Sequence, residues 1–261
     1  MQLSTDRLLA EVEASTGQLA GIISDGDPDL QVPSCPDWTL RQLGTHVGRV
    51  HRWAAEIVST RTAEGIAMKA VPDGTPPGDR SGQANWLLAG AQRLTAAIRD
   101  AGSAPVWAFG SLAPATFWAR RQAHETMVHR ADAELAAGRP VVLDPELAVD
   151  AIDEWLTIMA GPRYGRPDAR ATALPAGRAM YVIATAPDQG GTGPGQWLIR
   201  QAADGVVVLP APGQPPPDVT VSGPPDQVLL TLLRRMPPES ADITVAGDAA
   251  LLTGWLAGTP F

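Results

Sequence analysis

The rhythm of apolar residues changes once along this chain, and that change limits the folds open to it. Up to about residue 160 apolar side chains recur at helical spacing. From about residue 178 the pattern becomes short β-rich runs broken by Gly, Pro and Asp. The pattern predicts an α+β chain in two parts. Residues 1–162 read as a bundle of four or five helices, 163–177 as a linker, and 178–261 as a small α+β domain.

In the first part Leu8, Leu9, Val12, Leu19 and Ile22 mark one helix, which ends near Ser24–Pro28. A second starts after Pro36, with Asp37 or Thr39 as N-cap, and runs to about Arg61. Its inward stripe is Leu43, His46, Val47, Val50, Ala54 and Ile57. Residues 64–82 form a long Pro/Gly-rich loop, of a length usually reserved for functional or mobile segments. Further helices are expected over about 83–101, 115–138 and 144–160, with a turn at 102–115. In the last part AMYVIAT, QWLIRQA, GVVVLPA, DVTVSG and DITVAG read as strands, and PDQVLLTLLRRM and DAALLTGWLAG as helices.

The net charge of −8 argues against nucleic acid or an anionic membrane as the main partner, because both need a basic footprint. No stretch reaches the apolar length of a membrane span, and the N-terminus reads as an amphipathic helix rather than a signal peptide. A single cysteine, Cys35, excludes an internal disulfide and a zinc site built from cysteines. A cytoplasmic protein, monomeric or homodimeric, is expected.

All four histidines fall in two helical segments: His46 and His51 in LGTHVGRVHRW, His124 and His129 in RRQAHETMVHR. Facing helices of a bundle can bring such side chains to one ion. Glu125 and His129 are four residues apart and share a helix face. His124 and His129, five apart, diverge by roughly 140°, so the segment is not a metalloprotease HExxH despite its His-Glu. The same angle separates His46 from His51. Geometry therefore favours His46, Glu125 and His129 as ligands, with His51 and His124 at the edge or in solvent. Two imidazoles and one carboxylate leave a divalent ion with open positions, as in catalytic sites. The plainer alternative is a hydrogen-bonded core histidine on each helix. Arg120, Arg121, Arg130 and Asp132 could form solvated pairs, or Asp132 could accept from a ligand histidine. Cys35, in a helix-entry turn, reads as a small structural residue.

The segment VPSCPDWTLRQLGTHVGRVHRW resembles the opening signature of mycothiol-dependent maleylpyruvate isomerase-like proteins, which are DinB-like helical bundles. FWARRQAHETMVHRADAELAAG resembles their second signature, and the run from LLTLLRRMP to Trp255 their sterol-carrier-like C-terminal domain. The resemblance implies a metal, zinc first, on His46, Glu125 and His129, and mycothiol as the thiol cosubstrate. It also implies an arginine for the substrate carboxylate, for which Arg235, or Arg234, is the nearest match. Gln42 stands where the family usually has an acid, and Ala131 where an aromatic is common. The function so implied is cis–trans isomerisation or thiol S-transfer on a small electrophile, with a metal-activated thiolate as nucleophile. Two other readings compete with it. One is a non-haem iron(II) enzyme on the same three ligands; the other is a non-catalytic module that binds a small ligand.

Overall fold

The computed structural model describes residues 3–160, 174–185, 195–202, 205–209 and 216–258. The chain divides into two compact units, meeting between Val142 and Leu143. Residues 163–173 of the expected linker lie outside the described residues.

The first unit is a four-helix bundle with one hairpin. Helix α1 (Thr5–Asp25) is capped by Ser4, whose hydroxyl accepts from Arg7 N at 3.2 Å. Helix α2 (Leu40–Thr60) starts at Thr39, the later of the two expected caps. Gln42 N reaches Thr39 Oγ1 at 3.4 Å, and Thr39 N donates to Gln42 Oε1 at 2.8 Å. This capping box needs only an acceptor three residues into the helix, so a glutamine serves where an acid is usual. Helix α3 (Arg80–Ala101) begins three residues earlier than expected because Asp79 caps it, accepting from Gly82 N at 2.8 Å. The segment taken for a turn is a hairpin of β1 (Pro105–Ala108) and β2 (Ser111–Pro114). Phe109 and Gly110, both at positive φ, make its two-residue turn. Helix α4 (Thr116–Ala136) follows.

Helices α1 and α2 each pack against α3 and α4 around Leu9, Leu19, Leu43, Ile57, Leu87, Leu94 and Met127, all wholly buried. The approach of α2 to α3 depends on Gly48. A Cβ there would stand 2.1 Å from the Trp86 ring. The loop between α2 and α3 is tied down along its length. Arg49 Nε donates to Gly74 O at 2.6 Å, Arg52 Nε to Asp73 Oδ2 at 2.9 Å and Trp86 Nε1 to Asp73 O at 2.9 Å. Trp53 Nε1 holds Ile66 O at 2.7 Å. Buried Arg52 also lies over the Trp86 ring, 3.9 Å from its centroid.

The second unit opens with α5 (Pro145–Ala160), which the sequence pattern had assigned to the bundle. Its apolar face packs instead on α6 (Pro225–Leu232) and β5 (Gly205–Leu209). The boundary expected after residue 162 therefore lies about one helix earlier, and the bundle has four helices, the smaller of the two expected numbers. The remaining strands are β3 (Ala179–Ala184), β4 (Gln196–Ala202), β6 (Val219–Gly223) and β7 (Thr244–Gly247). They form one sheet in the order β5-β4-β3-β6-β7, antiparallel except for β3 with β6. Trp155 of α5 meets Trp255 of α7 (Ala249–Gly258) edge-on at 5.9 Å, and Trp197 Nε1 donates to Asp153 Oδ1 at 3.1 Å. Helix α6 stops four residues short of the expected end, and Arg234 follows in the left-handed region at φ 59°. Among the described residues no helix is long and apolar enough to cross a membrane.

Candidate metal centre

Helices α2 and α4 bring together the three residues that spacing selected. His46 Nε2 lies 3.1 Å and His129 Nε2 3.3 Å from the same oxygen, Glu125 Oε1. One donor atom from each of the three lies within 4.8 Å of the other two. The side chains keep 28%, 21% and 10% exposure for His46, Glu125 and His129, so the cluster opens to solvent on the His46 side. A ligand can reach it.

The indole of Trp38, in the turn before α2, packs on both imidazoles, with ring centroids 4.6 Å from His46 and 5.9 Å from His129. The two imidazoles meet edge-on at 5.0 Å. Trp38 belongs to the helix-entry part of the first signature, but an aromatic just ahead of a helix cap does not say which way the indole folds back.

Behind the cluster, His129 Nδ1 donates to Asp132 Oδ2 at 2.8 Å. Asp132 is wholly buried and accepts from Ser34 Oγ through its other oxygen at 2.6 Å. An imidazole held by a carboxylate at one nitrogen presents the other to a metal. Of the two roles open to Asp132 in the sequence, the buried acceptor is the one seen. On the outer side Arg121, one turn before Glu125, pairs with Glu125 Oε2.

These contacts set the charges. Burial raises a carboxyl's pKa, but the Arg121 charge and the hydrogen bonds of His129 and His46 outweigh it and hold Glu125 well below the usual range. Burial pushes His129 down, yet Asp132 and Glu125 together lift it to about 9. In the metal-free protein its ring carries both protons, and a cation must displace the one on Nε2.

His51 and His124 do not lie at the edge or in solvent. His51 is wholly buried and His124 is 2% exposed. Helix α4 has no solvent face over most of its length, since α1, α2 and α3 all pack on it. Gln122, His124, Thr126, His129, Arg130 and Asp132 are therefore buried. Thr126 Oγ1 gives its proton to Gln122 O at 2.6 Å, so it accepts from His51 Nε2 at 2.9 Å. His51 is thus fixed as the Nε2–H tautomer, and burial with the Arg52 charge lowers its pKa to about 3. It is neutral at any physiological pH.

The fourth residue expected at the site, Arg235, lies in the second unit just after α6, where its Nη1 donates to Leu233 O at 2.8 Å.

The donor chemistry fits a divalent ion: two neutral-capable imidazoles, an ionised carboxylate, and an oriented ligand ring. Comparison with known proteins bears on its use. The family model for the mycothiol maleylpyruvate isomerase N-terminal domain matches residues 8–134, and the model for the C-terminal domain of the same family matches residues 146–254. No curated protein matches the chain. Two solved structures share its fold, a mycothiol-dependent maleylpyruvate isomerase and a variant of it with alanine in place of one histidine. They are 17% and 16% identical, with TM-scores of 0.58 and 0.59, each matching 94% of this chain and 93% of the other.

Proposed function

This chain belongs to the mycothiol maleylpyruvate isomerase family, and on that premise we propose that it is a metal- and mycothiol-dependent enzyme isomerising a small, electrophilic cis-alkene acid. The observation that carries the proposal is the convergence of His46 Nε2, His129 Nε2 and Glu125 Oε1, open on one side and braced by Asp132 on the other. A divalent ion, zinc first, would supply Lewis acidity there, lowering the pKa of a thiol so that thiolate adds to the alkene and is expelled after rotation.

The chain's own groups do the rest. His46, Glu125 and His129 hold the ion. Asp132 keeps the Nδ1 proton on His129 and so keeps Nε2 available. Arg121 draws charge from Glu125 and thereby leaves a bound cation more electron-poor. Trp38 covers one side of both imidazoles and limits water there. On the family resemblance alone, Arg235 is proposed for the substrate carboxylate, for which a guanidinium is the apt partner. If the thiol adduct is kept rather than expelled, the same groups perform S-transfer.

Purified protein should contain about one zinc per chain and isomerise maleylpyruvate only with mycothiol. The proposal fails if His46→Ala and His129→Ala leave both metal content and thiol-dependent turnover unchanged. Iron with oxygen uptake would point instead to the non-haem reading. Arg235→Ala should raise KM for the acid while leaving metal content intact; an unchanged KM removes Arg235 from the site.

A further inference from the structure

The carboxylate that braces His129 also meets the chain's only cysteine. Cys35 Sγ lies 3.8 Å from Asp132 Oδ2, the oxygen that His129 Nδ1 donates to at 2.8 Å. Ser34 Oγ holds the other carboxylate oxygen at 2.6 Å and so fixes which oxygen faces the thiol and the ring. One donor atom each from Cys35, His129 and Asp132 lies within 4.8 Å of the other two, as in the triad. Asp132 and His129 are buried, whereas Cys35 is half-buried and leaves an approach from outside.

We propose that Cys35, Asp132 and His129 form a second cation site, selective for thiophilic divalent ions, that competes with the triad for His129. The donor set is one thiolate, one carboxylate and one imidazole nitrogen, and the thiolate gives it a softness that the triad lacks. Ligand bonds of about 2.0–2.3 Å to N, O and S place tetrahedral donors roughly 3–4 Å apart. The existing separations need to open by only a few tenths of an ångström at Asp132 and His129.

The competition follows from the ring. The triad uses Nε2 of His129 and the second set uses Nδ1, and a neutral imidazole has one lone pair to offer. When an ion binds at Nδ1, the Cys35 thiol proton and the Nδ1 proton leave. The remaining Nε2–H continues to donate to Glu125 Oε1, where it already lies at 3.3 Å. The triad then has neither His129 nor a free Glu125. A thiophilic ion in the second set therefore disarms the first, which makes Cys35 the entry point for inhibition by soft metals. This inference needs no thiol chemistry at the triad, so it stands or falls apart from the proposed function.

Cadmium added to metal-free protein is the probe. Cys35 is the sole thiol, so an ultraviolet thiolate-to-cadmium charge-transfer band reports it alone. The expected result is one tight cadmium per chain with that band, retained in His46→Ala. Cys35→Ser, close in size, should lose the band and bind cadmium at least roughly tenfold more weakly; Cys35→Ala provides a check on folding. No band in the wild type overturns the proposal. So does a band lost in His46→Ala, which would place the thiol on the triad's ion. Undiminished affinity in Cys35→Ser, or two tight ions per chain, does the same.

Discussion

The same two helices carry two histidine pairs that end in opposite states. His46 and His129 keep some exposure to solvent, share the Glu125 oxygen and stand beside two more charged groups, Arg121 and Asp132. His51 and His124, each five residues away along its own helix, are buried in the packed body of the bundle, and His51 is held by a neutral threonine. The residue type and the secondary structure are the same in both. Carboxylates and access to water separate a pair that can take a cation from one that packs. The imidazole with two carboxylates is lifted to about 9, and the one with a hydroxyl falls to about 3.

The sharpest way to break this comparison is to remove one histidine from each pair. His129→Ala should reduce metal affinity and thiol-dependent turnover by more than about 100-fold, beyond what loss of an outer partner costs. His51→Gln should keep metal stoichiometry and lower thermal stability instead. If His51→Gln also emptied the site, the two pairs would not be separate devices. A smaller effect is expected at Asp132. Asp132→Asn keeps the shape but loses the charge that holds the Nδ1 proton, and metal affinity should fall by about 10–100-fold in a direct titration.

Helical spacing was enough to pick His46, Glu125 and His129, because two faces set by a period of 3.6 residues leave little choice. It was not enough to place His51 and His124. RRQAHETMVHRADAE looks like a surface sequence, and its burial follows from partners on other elements. Spacing within α4 reveals neither the α2 histidine above Thr126 nor the turn that supplies Ser34. The 105–114 hairpin was legible in principle, since a residue followed by Gly between short β-prone runs is a turn signal. The destination of α5 was not, because an amphipathic helix states that it has an apolar face without naming what covers it. The long loop looked mobile by length and composition, but Arg49, Arg52, Trp53 and Trp86 hold it through backbone carbonyls and Asp73. Such contacts leave no periodic trace in a sequence.

The pH dependence of the metal-free protein should show both pairs at once, with opposite slopes. His51 stays neutral when folded and titrates near 6.5 when unfolded, so its contribution is complete above pH 6.5 and is lost as pH falls toward 3. His129 stays protonated when folded, so its contribution is complete below pH 6.5 and is lost as pH rises through 9. Each limb has a slope of about 1.4 kcal/mol per pH unit for one proton, which puts an apex near pH 6.5 for these two groups. His51→Gln should flatten the acid limb and His129→Gln the alkaline one. Chemical denaturation across pH 4–9 reads both. Bound metal should erase the alkaline limb alone, since it takes His129 in the deprotonated form.

The smallest effect tests whether Thr126 belongs only to the packed pair. Its hydroxyl gives its proton to Gln122 O and accepts from His51, and it lies next to Glu125 in sequence. Thr126→Val keeps the shape and leaves His51 Nε2 without its acceptor. The stability loss should be about 1–3 kcal/mol, that of one buried donor left unsatisfied. Metal affinity should stay within about twofold, because none of the cation's donors or their braces moves. A larger drop in affinity would mean that the packed pair sets the position of Glu125 through the α4 backbone, and the bundle would then have one coupled histidine system instead of two.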